Sequence, residues 1–122
     1  MTNLIWLEYK IQIRDRLKMF ALKILQLSEM IPNSERGRIL NNQLTKSGTS
    51  VYANYRAALR SRSRAEFFSK LSIVVEEADE TEMWLDLMMD SGILNNIFTK
   101  EVHSESMELL KIFASMRKRV SK

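Results

Sequence analysis

An all-α fold is predicted, an up-down-up-down bundle of four helices forming one domain over residues 1–122. Three observations predict it. Apolar residues recur at alternating four- and three-residue spacing through four long segments. Three glycines and one proline are too few for the many turns of an all-β chain. The breaks between the periodic segments are short and carry helix caps. At 122 residues the chain can bury a core without staples. It has no cysteine, hence no disulfide framework, thiolate site or cysteine nucleophile.

The first helix is predicted over residues 9–31, because Ile13, Leu17, Phe20, Ile24, Leu27 and Ile31 make a heptad seam that Pro32 closes. Leu7, Ala21 and Leu25 widen its apolar face toward a bundle core. Leu4, Ile5 and Trp6 fall outside the repeat and read either as an arm packing on a neighbouring subunit or as the start of the helix; the arm is favoured, with Trp6 as an interface anchor.

The second helix, over residues 35–60, follows a cap at Asn33 or Ser34 and carries Glu35 in its first turn. Its seam of Leu40, Leu44, Ser47, Val51, Asn54 and Ala58 turns polar midway, within QLTKSGTSVYAN. Glycine inside a helix costs about 1 kcal/mol against alanine, so Gly48, with Ala53, is expected to admit a facing helix at close range. Buried hydroxyls and amides there need hydrogen-bond partners.

Ser63 and Glu66 have capping-box spacing and start the third helix, over residues 64–91, with Gly92 as its C-terminal cap. Its seam runs through Phe67, Leu71, Val74, Ala78, Thr81, Leu85 and Met88. Glu77, Glu80 and Trp84 share one side and are the expected partners of the polar stripe; Met83, Met88 and Met89 read as packing. The fourth helix, over residues 99–119, repeats Val102, Ser106, Leu109, Phe113 and Met116, and Arg117, Lys118, Arg119 and Lys122 complement its dipole.

The formal net charge of +4 conceals a segregation: residues 1–70 carry 13 Lys/Arg against 5 Asp/Glu, whereas residues 71–100 carry 1 against 7. The up-down topology gathers Lys10, Arg14, Arg56, Arg60, Arg62, Arg64, Arg117, Lys118 and Arg119 toward one end, while Asp86 and Asp90 lie toward the other. Phosphate contact without base specificity is the functional reading of that end; a solvated helix terminus is the alternative.

QLTKSGTSVYAN followed by SRAEFFSKLSIVVEEADETEMWLDLM resembles the bacterial four-helix-bundle proteins encoded in 23S ribosomal RNA intervening sequences, with MFALKILQL and SMELLKI similar to the family's first and last helices. The resemblance implies a closed homopentameric ring with a central channel. It also implies distant similarity to the accessory proteins of diversity-generating retroelements, basic pentamers that bind nucleic acid and a reverse transcriptase. The family's recurring positions fall on Gln43, Ser47, Ser50, Asn54, Glu77, Glu80, Thr81 and Trp84, all present. This sequence departs just after Asn54, where Tyr55-Arg56-Ala57-Ala58 loses an acid and gains an arginine.

No catalytic constellation is present, so no enzyme and no cofactor are expected. The single histidine, His103, lies in Glu101-Val102-His103, the wrong spacing for a ferritin-like metal site, and the sequence aims no carboxylate at it. MTNLIWLEYK has neither the basic region of a signal peptide nor the length of a membrane span, and a cytoplasmic location is expected. The function expected is that of a non-enzymatic, homo-oligomeric accessory protein that binds RNA or DNA through its basic end. A protein-interaction scaffold, for example for a reverse transcriptase, is the competing expectation.

Overall fold

The computed structural model describes residues 2–121, and Lys122 lies outside them. Four α-helices follow in order: α1 Thr2–Ser28, α2 Glu35–Leu59, α3 Arg64–Asp90 and α4 Ile97–Val120. Each packs on its neighbours in sequence, and α4 closes the square against α1. Pairs such as Ser28 with Asn41, Ser47 with Thr81, Glu82 with His103 and Arg16 with Glu105 run in opposite senses along the helices, as an up-down-up-down bundle requires.

The expected seams form the core, except that in α2 Tyr55, expected on the flank, is completely buried while Asn54, expected in the seam, is only half-buried. Leu17, Ile24, Leu27, Leu71, Val74, Leu85, Met88 and Phe113 are completely buried. Gly48 faces Ile24 of α1 so closely that an added Cβ would lie 2.9 Å from Ile24 Cγ1, so the glycine answers a close α1–α2 approach. Ala53, expected to share this role, is exposed.

The capping devices operate as anticipated. Ser34 Oγ accepts from Gly37 N at 3.0 Å to open α2, and Ser63 Oγ accepts from Glu66 N at 3.0 Å to open α3. The Glu66 carboxylate reaches back to Arg62 N at 2.7 Å, completing a box one residue wider than the usual form. Gly92, at φ +78°, takes the left-handed conformation that lets α3 stop.

Three boundaries differ from expectation by two residues or more. First, α1 begins at Thr2 rather than at residue 9, so Leu4, Ile5 and Trp6 belong to the helix and form no arm. Trp6 stacks on Tyr9 one turn later and sits half-buried against the core, which ties down the added turns. Second, α1 ends at Ser28, where Asn41 Nδ2 donates to the freed Ser28 carbonyl at 2.9 Å. Ile31 remains buried as a loop residue, so the apolar period outruns the helix. Third, α4 starts at Ile97 because Asn96 caps it, accepting from Thr99 N at 2.8 Å, and Thr99 lies buried inside the first turn.

The α1 face is also narrower than its pattern suggests. Ala21 is buried, but Leu7 and Leu25, at 48% and 47% exposure, point outward with Leu4 and Leu22. Among the described residues, no helix covers that exposed outer stripe.

Candidate nucleic-acid interface

The start of α1, the end of α2, the α2–α3 turn, the start of α3 and the end of α4 meet at one end of the bundle. These stretches carry Lys10, Arg56, Arg60, Arg62, Arg64, Arg117, Lys118 and Arg119 against two acidic residues, Glu8 and Glu66. The cations divide by what holds them.

Arg64 serves the fold. Its Nε donates to the Val120 carbonyl at 3.1 Å and its Nη2 to the Arg119 carbonyl at 3.3 Å. It thereby satisfies carbonyls that the end of α4 leaves without intrahelical partners and clamps α3 to α4. Arg117 donates to Ser72 Oγ at 2.7 Å and lies over the Phe68 ring at 4.9 Å. Lys10 Nζ lies 5.2 Å from both the Trp6 and Phe67 rings, and Arg119 covers Trp6 at 5.1 Å. Arg56 lies over Tyr52 at 5.7 Å. These aromatic platforms fix where the charges point without neutralising them.

Arg60, Arg62 and Lys118 are exposed, and among the described residues their side-chain cations make no hydrogen bond or ion pair. Arg14 stands apart from the group. It lies a turn beyond Lys10 on α1 and pairs with Asp15 at 3.0 Å.

At this end lies an open recess of about 250 Å³, lined by Trp6, Lys10, Ser61, Ser63, Arg64 and Phe67 among others. Ser61 Oγ is buried there with no hydrogen-bond partner among the described residues. Sequence reasoning missed Ser61, because nothing in its pattern distinguishes it from the other serines of the turn.

The polar stripe is divided by the structure. Ser47 and Thr81 are buried and joined, Thr81 Oγ1 donating to Ser47 Oγ at 3.0 Å. Ser50 and Asn54 are half-buried, and Asn54 Nδ2 bonds back to Ser50 O of its own helix at 2.8 Å. Gln43 and Glu80 are exposed. The α2–α3 lock is therefore a hydroxyl pair rather than the expected contact with carboxylates. Glu77 is half-buried, and its carboxyl is pushed up by burial and then by Glu80, against the pull of Lys46. Trp84 is half-buried with its Nε1 enclosed and without a partner among the described residues, beside an apolar groove lined by Ile39, Leu40, Leu87 and Ile93.

His103 also departs from expectation. Its Nε2 lies 2.8 Å from Glu82 Oε2, a carboxylate that the linear sequence, in which it stands 21 positions earlier, does not bring to it.

Among the described residues, no helix is long and apolar enough to cross a membrane. No curated protein matches the chain. A crystal structure of a protein of unknown function from the S23 ribosomal protein family of Bacteroides thetaiotaomicron is similar at a TM-score of 0.79 and 33% identity, covering 87% of this chain and 98% of that one. The sequence model of the 23S rRNA-intervening sequence proteins matches residues 9–115, from the second turn of α1 almost to the basic last turn of α4. With a sequence model matched over most of its length and a four-helix fold shared with that structure, this chain belongs to the 23S rRNA-intervening sequence protein family.

Proposed function

We propose that the protein is a non-catalytic, homo-oligomeric accessory factor that holds the phosphate backbone of RNA or DNA at the basic end of its bundle. The observation that carries this reading is the set of exposed cations Arg60, Arg62 and Lys118, without a side-chain hydrogen bond or ion pair among the described residues, at the same end of the bundle as a recess lined by Lys10, Ser61 and Arg64. A phosphate oxygen would accept from Lys10 Nζ at the recess, while the three outer cations would follow the strand. Nothing at this end has the form of a recognition helix, so the contact would be sequence-independent.

Self-association would strengthen such contact, because a patch of modest affinity gains when copies bind one polyanion together. The outer stripe of α1, with Leu4 62% exposed, is the surface available for it, and the expected assembly is a pentameric ring. Light scattering tests this separately, and a monomer would refute it.

The principal test is affinity for structured RNA and for DNA, measured against salt. Tight binding at low salt should weaken steeply as salt rises, with a slope on duplex DNA of about 0.9 per phosphate contact. Charge reversal at Arg60, Arg62 and Lys118 should lower both affinity and slope. No binding at low salt, or binding unchanged by the reversal, would refute the reading.

A second reading rests on the apolar groove beside Trp84, whose enclosed indole nitrogen lacks a partner among the described residues. With the acidic surface of α3, that groove fits a basic protein partner, such as a reverse transcriptase. Co-purification of protein without nucleic acid would favour it.

A further inference from the structure

We propose that Glu82 and Asp86 of α3 and His103 of α4 form a binding site for a first-row divalent transition metal, of which Zn²⁺ fits best. Glu82 and Asp86 lie four positions apart, on one helix face, and the antiparallel packing of α4 sets His103 opposite them. One donor atom from each of the three lies within 4.8 Å of the others.

The set is already partly organised. His103 and Glu82 side chains are 14% and 26% exposed, and the 2.8 Å contact between Nε2 and Oε2 fixes the imidazole toward the carboxylate. Asp86 is exposed and supplies the movable arm. Ligand atoms around a tetrahedral zinc lie roughly 3.3 Å apart, as follows from bonds of about 2.0–2.1 Å. A small opening of the His103–Glu82 contact and an inward turn of Asp86 would reach that spacing.

Charge separates this cluster from an ordinary surface ion pair. Among the described residues, the Glu82 carboxylate meets only His103, and Asp86 makes no hydrogen bond or ion pair. By contrast, Glu105 on the same helix as His103 is fully engaged by Arg16, through two bonds of 2.7 Å. The cluster also lies within the acidic stretch 71–100 and its continuation into α4, where cations are scarce. Two carboxylates without a lysine or arginine would be compensated by a divalent ion.

One imidazole nitrogen with two carboxylate oxygens and no thiolate suits Zn²⁺, Co²⁺ or Ni²⁺. Ca²⁺ and Mg²⁺ prefer all-oxygen shells. Three protein donors leave a position for water, and the ion would pin α3 to α4 on the side of the bundle remote from the basic end. The site neither requires nor excludes nucleic-acid binding.

The test uses untagged, EDTA-treated protein, titrated calorimetrically with Zn²⁺ and followed by thermal melting, and by visible absorption with Co²⁺. One Zn²⁺ per chain, a raised melting temperature and Co²⁺ d–d bands are expected. Glu82→Gln, Asp86→Asn and His103→Ala should each weaken binding tenfold or more while circular dichroism stays helical. Glu82→Gln preserves a hydrogen bond to His103 and so isolates the loss of a donor. Should His103→Ala unfold, the exposed Asp86→Asn carries the comparison. No heat and no thermal shift with the parent protein would overturn the proposal. So would unchanged affinity in Asp86→Asn and Glu82→Gln, or displacement of Zn²⁺ by equimolar Mg²⁺.

Discussion

Gly48→Ala should destabilise the protein, although the same change at an exposed helical position would stabilise it. Two effects oppose each other. Replacing glycine by alanine in a helix gains about 1 kcal/mol from backbone propensity. Against that, the new Cβ would lie 2.9, 3.0 and 3.1 Å from Cγ1, Cγ2 and Cδ1 of Ile24, a completely buried side chain on the facing helix. Three atoms of one branched residue surround the position, so no single rotamer change of Ile24 relieves the crowding. Overpacking of this kind costs roughly 1–3 kcal/mol, and the expected net loss is about 1 kcal/mol. That corresponds to a melting temperature lower by roughly 3–5 °C for a chain of this length.

The sign should reverse when Ile24 is truncated. Ile24→Ala alone should cost about 2–5 kcal/mol through lost burial and a cavity. Adding Gly48→Ala on that background should recover about 1 kcal/mol or more, because the methyl enters vacated space and the propensity gain is unopposed. Urea denaturation of the four proteins gives the coupling directly, with a magnitude of about 1–3 kcal/mol expected for residues in contact. Gly48→Ala raising the urea midpoint of the parent protein, or additive effects within about 0.3 kcal/mol, would refute the reasoning.

Tyr55→Phe removes the hydroxyl that donates to the Lys10 carbonyl at 2.9 Å and should cost about 0.5–1.5 kcal/mol at neutral pH, read by urea denaturation. Burial pushes the Tyr55 phenol above its ordinary 10.0, so its protonated state stabilises the fold at neutral pH. That contribution declines as pH rises past 10.0, and the phenylalanine variant should lose less stability there. Glu77→Gln should stabilise the fold at neutral pH, because burial and Glu80 raise the Glu77 carboxyl and the native state therefore binds its proton more tightly than the unfolded chain does. Stability from this group falls as pH rises through the carboxylate range; the glutamine variant should flatten that slope, by less than about 1 kcal/mol since the site is partly solvated. Ser63→Ala deletes the α3 cap and should cost about 0.5–2 kcal/mol in thermal or urea unfolding, with Ser63→Asp restoring most of it.

How legible each feature was depended on the range of the interaction behind it. Caps are local, so Ser63 and Gly92 could be assigned and the α2 cap narrowed to Asn33 or Ser34 from a few neighbouring residues, and α3 begins where its box placed it. The seams of α1 to α4 were legible because period alone determines which residues share a helix face. The end of α1 was not, because Ile31 continues the apolar period from a loop, and only packing distinguishes a buried loop residue from a buried helical one. Trp6 was misassigned to an arm because its stabilising neighbours include Arg119, at the far end of the chain.

The candidate site divides in the same way. Composition and topology sufficed to bring eight cations to one end. Which of them are committed was decided by tertiary contacts: Arg64 to the carbonyls of α4, Arg117 to Ser72, and Arg60, Arg62 and Lys118 to no side chain among those described. The polar stripe was located by sequence, yet its lock proved to be Ser47 with Thr81, since hydroxyls reach across a tight helix pair while Glu80 remains in water. Glu82, Asp86 and His103 were invisible as a group, because no spacing rule links residues brought together only by the antiparallel return of α4. The sequence by itself determined the helices and their inward faces, through short-range periodicity and capping. The tertiary structure alone decided which polar groups meet, because those distances depend on how one helix is set against another.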